Sequence, residues 1–307
     1  MTGRGLLLFA SMCVVWGIPY LFIRVAVTEL SPATLVFLRT AIAAAVLVPI
    51  ALTRGGLRPL LGSWRPLLLF TVIEVAIPWF LLSSAEQQLS SSLSGLLISA
   101  VPLVATVVTV ALGNRDRVGP TAVGGLLIGV VGVAGIVGLD LRSASSPALL
   151  EMALVVVGYA AGPVILSRYL SHLPSVTVIA ASLVVCALIY APLALIQRPV
   201  ALPGPPVLAS VAVLGFVCTA LAFLLFFALV TEIGPVRATV ITYVNPAVAA
   251  ILGVAVLRES FTFGMGAGFV LVLIGSVLAT GRMPAGDRLL GLRRVFGAPD
   301  TSRRSTR

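Results

Sequence analysis

RDRVGPTAVGGLLIGVVGVAGIVG at positions 115–138 is echoed by RESFTFGMGAGFVLVLIGSVLATG at 258–281. The copies lie 143 residues apart (258 minus 115). An arginine–acid pair opens each, Arg115-Asp116 and then Arg258-Glu259, and Gly125 and Gly132 return as Gly268 and Gly275. One residue out of step, Pro102 returns as Pro246. Both copies sit among apolar stretches long enough to cross a bilayer, so the repeated unit is half of a membrane protein. Duplicated membrane halves are the usual construction of alternating-access transporters.

Composition agrees: 59% of the 307 residues are hydrophobic, 10% are charged and mean hydropathy is +1.16, values no soluble domain of this length supports. A hydrocarbon layer of roughly 30 Å needs about 20 apolar residues in a helix. Ten such windows occur, near 6–27, 33–52, 66–84, 93–112, 121–139, 148–167, 176–196, 207–230, 238–257 and 263–280. Backbone groups left unsatisfied in lipid are too costly, so each window is predicted to be a helix. The first, with Arg4 ahead of an apolar run to Val15, has the look of a secretory leader. The run passes Trp16 without a small-residue cleavage site, and it is expected to stay as a helix. The predicted fold class is an all-α integral membrane protein of ten transmembrane helices in two inverted five-helix repeats. These are 1–142 and 143–281, followed by a basic tail, 282–307, on the cytoplasmic face, disordered or resting on the membrane surface.

Inversion follows from arithmetic, because five spans per half send the two halves into the membrane in opposite directions. Orientation follows from arginine, since the chain has no lysine. With the N-terminus in the cytoplasm, Arg4, Arg54, Arg58, Arg65, Arg115, Arg117, Arg168, Arg237 and the seven tail arginines lie inside. Only Arg24, Arg142, Arg198 and Arg258 lie outside, so the positive-inside rule places both termini in the cytoplasm of a cell membrane protein. The net charge of +10 sits mostly in the tail and short loops, which argues against nucleic acid as a partner and for anionic lipid headgroups. Cys13, Cys186 and Cys218 fall inside spans without metal-ligand spacing and read as small core residues.

An integral membrane enzyme is the rival class. Its chemistry is hard to find here: the lone histidine, His172, falls in a loop, and no HExxH, GxSxG, paired aspartates or phosphate-cradling loop occurs. The sequence implies no catalytic residue, metal or cofactor. Attention turns to polar groups at membrane depth, where a charge costs at least about 2.5 to 3.5 kcal/mol. Arg39 in the second span and Glu74 in the third fall at depths about 8 Å apart, by the 1.5 Å rise per residue. They are candidates for a facing pair, or for a buried salt bridge that serves packing alone. Glu74 is also the candidate for proton coupling. Trp16, Tyr20, Trp79, Tyr159 and Tyr243 are aromatic candidates for lining a cavity. Tyr20 and Trp79 are the weakest, as the nearest to a membrane interface. Asn245-Pro246 predicts a helix break used for function, and Pro19, Pro78, Pro102 and Pro163 predict kinks. Gly125 with Gly129, and Gly264 with Gly268, allow close helix packing, within the chain or in a homodimer.

In order along the chain stand Trp16-Gly17, Pro32, Phe37-Leu38-Arg39, Ala85-Glu86-Gln87 and the small-residue stretch from Ser91 to Pro102. The second half carries Leu214-Gly215, Thr219-Ala220-Leu221-Ala222, Gly234, Ala238, Tyr243-Val244-Asn245-Pro246 and Arg258-Glu259-Ser260 before Gly268 and Gly275. By these residues, over 5–281, the chain resembles the EamA-type branch of the drug/metabolite transporter superfamily. It departs from that pattern where the family has Gly-Glu after the fourth and ninth helices. Here Arg115-Asp116 and Arg258-Glu259 stand, with the acid kept and the glycine lost. The second half also has Ala160-Ala161 in place of Trp-Gly and no counterpart of Arg39. The resemblance implies a carrier with a central cavity between the halves, similar to exporters of amino acids and other small metabolites. One acid, one base, one amide and several aromatics suit a small zwitterionic or amphipathic solute, with protons as a further partner. Sugar phosphates or nucleotide sugars, which ask for several convergent bases, and drug- or lipid-like solutes stand as alternatives.

Overall fold

The computed structural model describes residues 2–53, 56, 58–111, 119–138 and 145–280. Arg115-Asp116, the segment around the boundary at 142 and the basic tail lie outside the described residues. Within them the protein is helical throughout, with no strand. Among the described residues nine helices are long and apolar enough to cross a membrane: α1 (Gly3–Ala26), α2 (Pro32–Thr53), α3 (Leu60–Ala85), α4 (Ser91–Ala111), α5 (Pro120–Gly138), α6 (Ser146–Leu170), α7 (Ser175–Ile196), α8 (Pro205–Ile233) and α10 (Phe263–Thr280). Between the last two runs α9 (Ile241–Leu257), shorter but equally apolar and preceded by a single turn, Pro235–Ala238.

Five of these helices, and the approach to α9, are irregular among the described residues. α1 stops at Val15 and restarts at Pro19, with Trp16-Gly17 between, and α4 stops at Ile98 and restarts at Val101. The α9 region breaks at Thr239-Val240. α3 winds as a π-helix over Thr71–Ala76, α8 over Val213–Leu221 and α6 over its last turn, Leu166–Leu170. Proline accounts for the positions in α1, α3, α4 and α6, because Pro19, Pro78, Pro102 and Pro163 each adjoin an irregular turn. The expectation for Asn245-Pro246 is corrected: α9 runs through this pair without interruption, and its break comes at Thr239-Val240 instead. Asn245, with its amide turned to donate, bonds Cys13 O at 3.1 Å and Ile241 O at 3.0 Å, so the side chain ties α9 to α1 and satisfies a local carbonyl.

The glycines repeated in the sequence meet one another in space. A Cβ on Gly125 would strike Gly275 O, and one on Gly132 would strike Gly268 O. The reciprocal positions Gly275 and Gly268 would strike Gly125 O and Gly132 O. The start of α5 thus meets the end of α10, so these equivalent helices run antiparallel and touch through one self-complementary stripe, as a pseudo-two-fold requires. Other pairs follow the same rule: α2 packs on α7, α4 on α9, and the α1–α8 contact is matched by α6 on α3. The small-residue stripes are occupied inside the chain by this contact.

Ties between the halves concentrate at the end remote from the termini. There Glu29 Oε2 accepts from Gly204 N at 2.8 Å, Ser84 Oγ donates to Glu151 Oε1 at 2.9 Å, and Ser145 Oγ donates to Gln88. The Glu259 carboxylate accepts from Ser91 N and Ser92 N at 2.8 Å each and from Ser92 Oγ at 2.5 Å, capping the N-terminus of α4 from the other repeat. At the terminal end Thr2 Oγ1 donates to Glu232 Oε1 at 2.6 Å, with Arg4 4.0 Å from the same carboxylate, and exposed His172 stands 3.4 Å from Ser63.

Candidate functional site

Arg39 leaves the wall of α2 at membrane depth and is 7% exposed. Its Nε donates to Thr219 Oγ1 at 2.8 Å, and Thr219 Oγ1 in turn donates to Leu214 O at 2.7 Å, within the π-helical turn of α8. That irregular turn is why a threonine can hold the arginine: its wider winding carries the hydroxyl away from the usual backbone partner. The guanidinium carbon lies 3.8 Å from the centre of the Trp79 ring, just beyond the π-helical turn of α3. A cation over tryptophan contributes up to about 2 kcal/mol when desolvated, enough to offset much of the burial cost. With Nε bonded and one face stacked, the two Nη groups make no hydrogen bond to protein among the described residues.

Tyr20 from α1 and Tyr159 from α6, with Cys186 and Cys218, fall within the field of the Arg39 charge. Tyr159 also lies in the field of Glu74 and Glu86. Glu74 occupies the middle of the α3 π-turn, the half-buried product of an extra residue per turn that swings it toward α6. There Gly162 leaves the room: a Cβ at that position would overlap the Glu74 carboxylate. Glu74 Oε2 has no hydrogen-bond partner. The expected Arg39–Glu74 ion pair is not formed among the described residues. The guanidinium is turned onto Trp79 and Thr219, and the carboxylate onto Gly162.

Of the sequence candidates, Tyr20, Arg39, Trp79, Tyr159 and Glu74 therefore converge. Of the two expected to be the weakest, Trp79 stacks on Arg39 and Tyr20 lies within the field of its charge. Trp16 belongs elsewhere, stacked at the α1 break against Phe226 at 4.9 Å and edge-on to Phe223 at 6.0 Å, both on α8. Tyr243 is half-buried on α9 and shares no hydrogen bond or ring contact with the Arg39 group, and Asn245 is spent on the α1 contact. Thr219 is the member that residue-by-residue reading missed; its signal is a hydroxyl deep inside an otherwise apolar span. A separate cavity of about 420 Å³, between Leu96 of α4, Ala250 and Val254 of α9 and Phe269 of α10, has no polar lining and offers nothing to a polar solute.

Apolar helices in two matched halves, closing around a base and an acid that leave each other free, define a multi-pass membrane transporter. The chain belongs to the EamA-like transporter family, which matches residues 3–138 and again 146–281. An uncharacterized transporter of Archaeoglobus fulgidus is 24% identical over 292 residues, covering 92% of this chain and 99% of that protein. A solved structure, described as a crystal structure of a protein, superposes with a TM-score of 0.65 at 22% identity, covering 94% of this chain and 99% of its own. At that identity the second likeness speaks for the fold alone.

Proposed function

We propose that the protein is a secondary carrier for a small zwitterionic or amphipathic metabolite, an amino acid or similar, moved by alternating access around Arg39, Trp79, Tyr159 and Glu74. The observation that carries this reading is the Arg39 guanidinium, fixed on two sides and left with an open Nη edge. Such an edge takes a carboxylate by two parallel hydrogen bonds. Glu74, across Tyr159 with an oxygen lacking a partner, takes an ammonium group, or a proton when no solute is bound. That exchange at Glu74 is the route by which a proton gradient would drive net movement. Tyr20 and the Trp79 edge flank the apolar part of the solute. Phosphorylated solutes fit less well, since Arg39 is the one base in this group and a phosphate dianion calls for several.

In the cell membrane, with both termini cytoplasmic as the arginine distribution favours, the direction of work is export, as in similar carriers of this family. The test is uptake of labelled amino acids and small metabolites into proteoliposomes, with and without a pH gradient, for wild type and Glu74→Gln. Saturable, gradient-stimulated flux that the variant loses, with solute recovered chemically unchanged, is the expected result. Conversion of the solute would replace the carrier by an enzyme. Flux indifferent to both pH and the substitution would return Glu74 to packing.

A further inference from the structure

At the tied end of the molecule, one residue beyond α3, Glu86 is 0% exposed. Neither of its carboxylate oxygens has a hydrogen-bond partner, in a place where an ionised carboxylate would need several. Arg24 reaches this spot and donates to the Glu86 backbone carbonyl. Two further arrangements bear on its charge. Glu86 caps the C-terminus of α3, where the helix dipole disfavours an anion, while Glu259 sits on the N-terminus of α4, where the dipole favours one. Glu259 already holds three donors and lies in the field of Glu86.

The other titratable groups facing Glu86 are Tyr20 and Arg24 from α1, Arg39 from α2 and Tyr159 from α6, while Glu151 on α6 is held by Ser84 two residues upstream. Burial first, and the neighbouring Glu259 charge second, push the Glu86 carboxyl well above the usual carboxylate range, against the smaller pull of Arg24 and Arg39.

We propose that Glu86 is a proton-binding site that latches this end of the carrier shut, and that release of its proton to that side is a step in opening. In the closed state Glu86 is a neutral acid, and Glu259, of the two, holds the cap across the repeats. Opening wets the site, the acid gives H⁺ to water and becomes a carboxylate, and that carboxylate cannot be re-buried beside Glu259 until it is protonated again. The sign follows from the closed state binding the proton more tightly than the open one: closure is complete at low pH. It weakens as pH rises from the ordinary carboxylate range through the higher value set by burial. This step rests on the carrier reading for its purpose, but its observable does not.

The experiment places paired distance labels at Thr28→Cys and Val200→Cys, exposed positions on opposite repeats at this end, in full-length protein whose Cys13, Cys186 and Cys218 are changed to Ala, in lipid nanodiscs. The expected result is a short distance at low pH giving way to a longer one as pH rises. Glu86→Gln should hold the short distance and lose the pH dependence, and Glu86→Asp should keep a transition with a displaced midpoint. A Glu86→Gln protein that opens with pH as its parent does overturns the proposal. Should that variant fail to fold, an unmoved midpoint in Glu86→Asp overturns it equally. A pH-dependent distance without saturable flux of any solute would keep the latch and remove the carrier, and saturable flux across an end indifferent to pH would do the reverse.

Discussion

Arg39 is the residue on which sequence and structure converge most directly, because a charge at membrane depth announces itself in any apolar run. Its partner did not. Depth along a helix follows from counting residues, but the direction a side chain faces does not, and so Arg39 and Glu74, about 8 Å apart in depth, stand in the sequence as candidates for a facing pair. The π-turn at Thr71–Ala76 carries Glu74 against Gly162 and leads into Trp79, and the π-turn at Val213–Leu221 carries Thr219, so that Trp79 and Thr219 both meet the guanidinium. Trp79, near a span end by residue count, follows the first of these turns and meets Arg39. A solute carboxylate on the open Nη edge gains a charge-assisted hydrogen bond of about 1.5 to 3 kcal/mol. Arg39→Gln is therefore expected to raise the solute concentration for half-maximal flux by about ten- to hundredfold, while the protein remains folded because a buried charge has been removed rather than stranded. Arg39→Lys should not restore it, since an ammonium cannot stack flat on Trp79, bond Thr219 and keep a two-pronged edge at once. Concentration dependence of uptake for the three proteins decides it, and full recovery with lysine would mean that charge alone matters.

Individual helices were legible almost entirely, since every predicted apolar window holds a helix and the prolines Pro19, Pro78, Pro102 and Pro163 mark irregular turns. The α8 π-turn was not legible, as it contains no proline and coincides with a contact between helices, that of Thr219 with Arg39. The glycines of α5 and α10 were legible as packing residues, but which partner they meet is a tertiary fact. Their geometry separates two kinds of helical glycine. A methyl group added to Gly124 would find nothing within 4 Å, so Gly124→Ala should be neutral or stabilise by up to about 1 kcal/mol through helix propensity. Gly132 faces the backbone of Gly268 and Val272, which cannot step aside, so Gly132→Ala should cost about 1 to 3 kcal/mol as overpacking. Thermal unfolding in detergent compares the two, and equal midpoints would dissolve the α5–α10 contact as drawn. Helix ends carry a second case. Arg258 closes α9 at φ 55° and ψ 35°, a left-handed conformation that costs a residue with a Cβ about 1 kcal/mol or more. Arg258→Gly should therefore raise the unfolding midpoint, provided Glu259 keeps its place on α4, and a lower midpoint would show that the arginine side chain contributes more than its backbone costs.

At the scale of the whole molecule the two repeats are not two domains, because neither has a core of its own. α2 is covered by α7, α4 by α9 and α5 by α10, so each half presents to the other the faces that a solitary five-helix bundle would leave without partners. The offset of 143 residues made the duplication visible in sequence, while the reciprocity of Gly125 with Gly275 and Gly132 with Gly268 shows what the duplication is for. Inverted copies of one self-complementary surface pack on each other without evolving a second surface. The two copies differ at the centre, where Arg39 has Ser182 as its counterpart and Glu74 has Val217, so base and acid both reside on the first repeat while Thr219 on the second holds the arginine in place. An interface of this extent should assemble without a covalent link. A chain severed after Arg142, with 1–142 and 143–307 co-expressed, is expected to yield halves that copurify and restore saturable flux, whereas either half expressed alone should be degraded or aggregate. The measurement is copurification through a tag on one half, followed by reconstitution. Independent stability of the first half, monomeric and resistant to protease, would show that its core is complete without α7, α9 and α10. The proton and solute sites would then have to be sought within five helices rather than between ten.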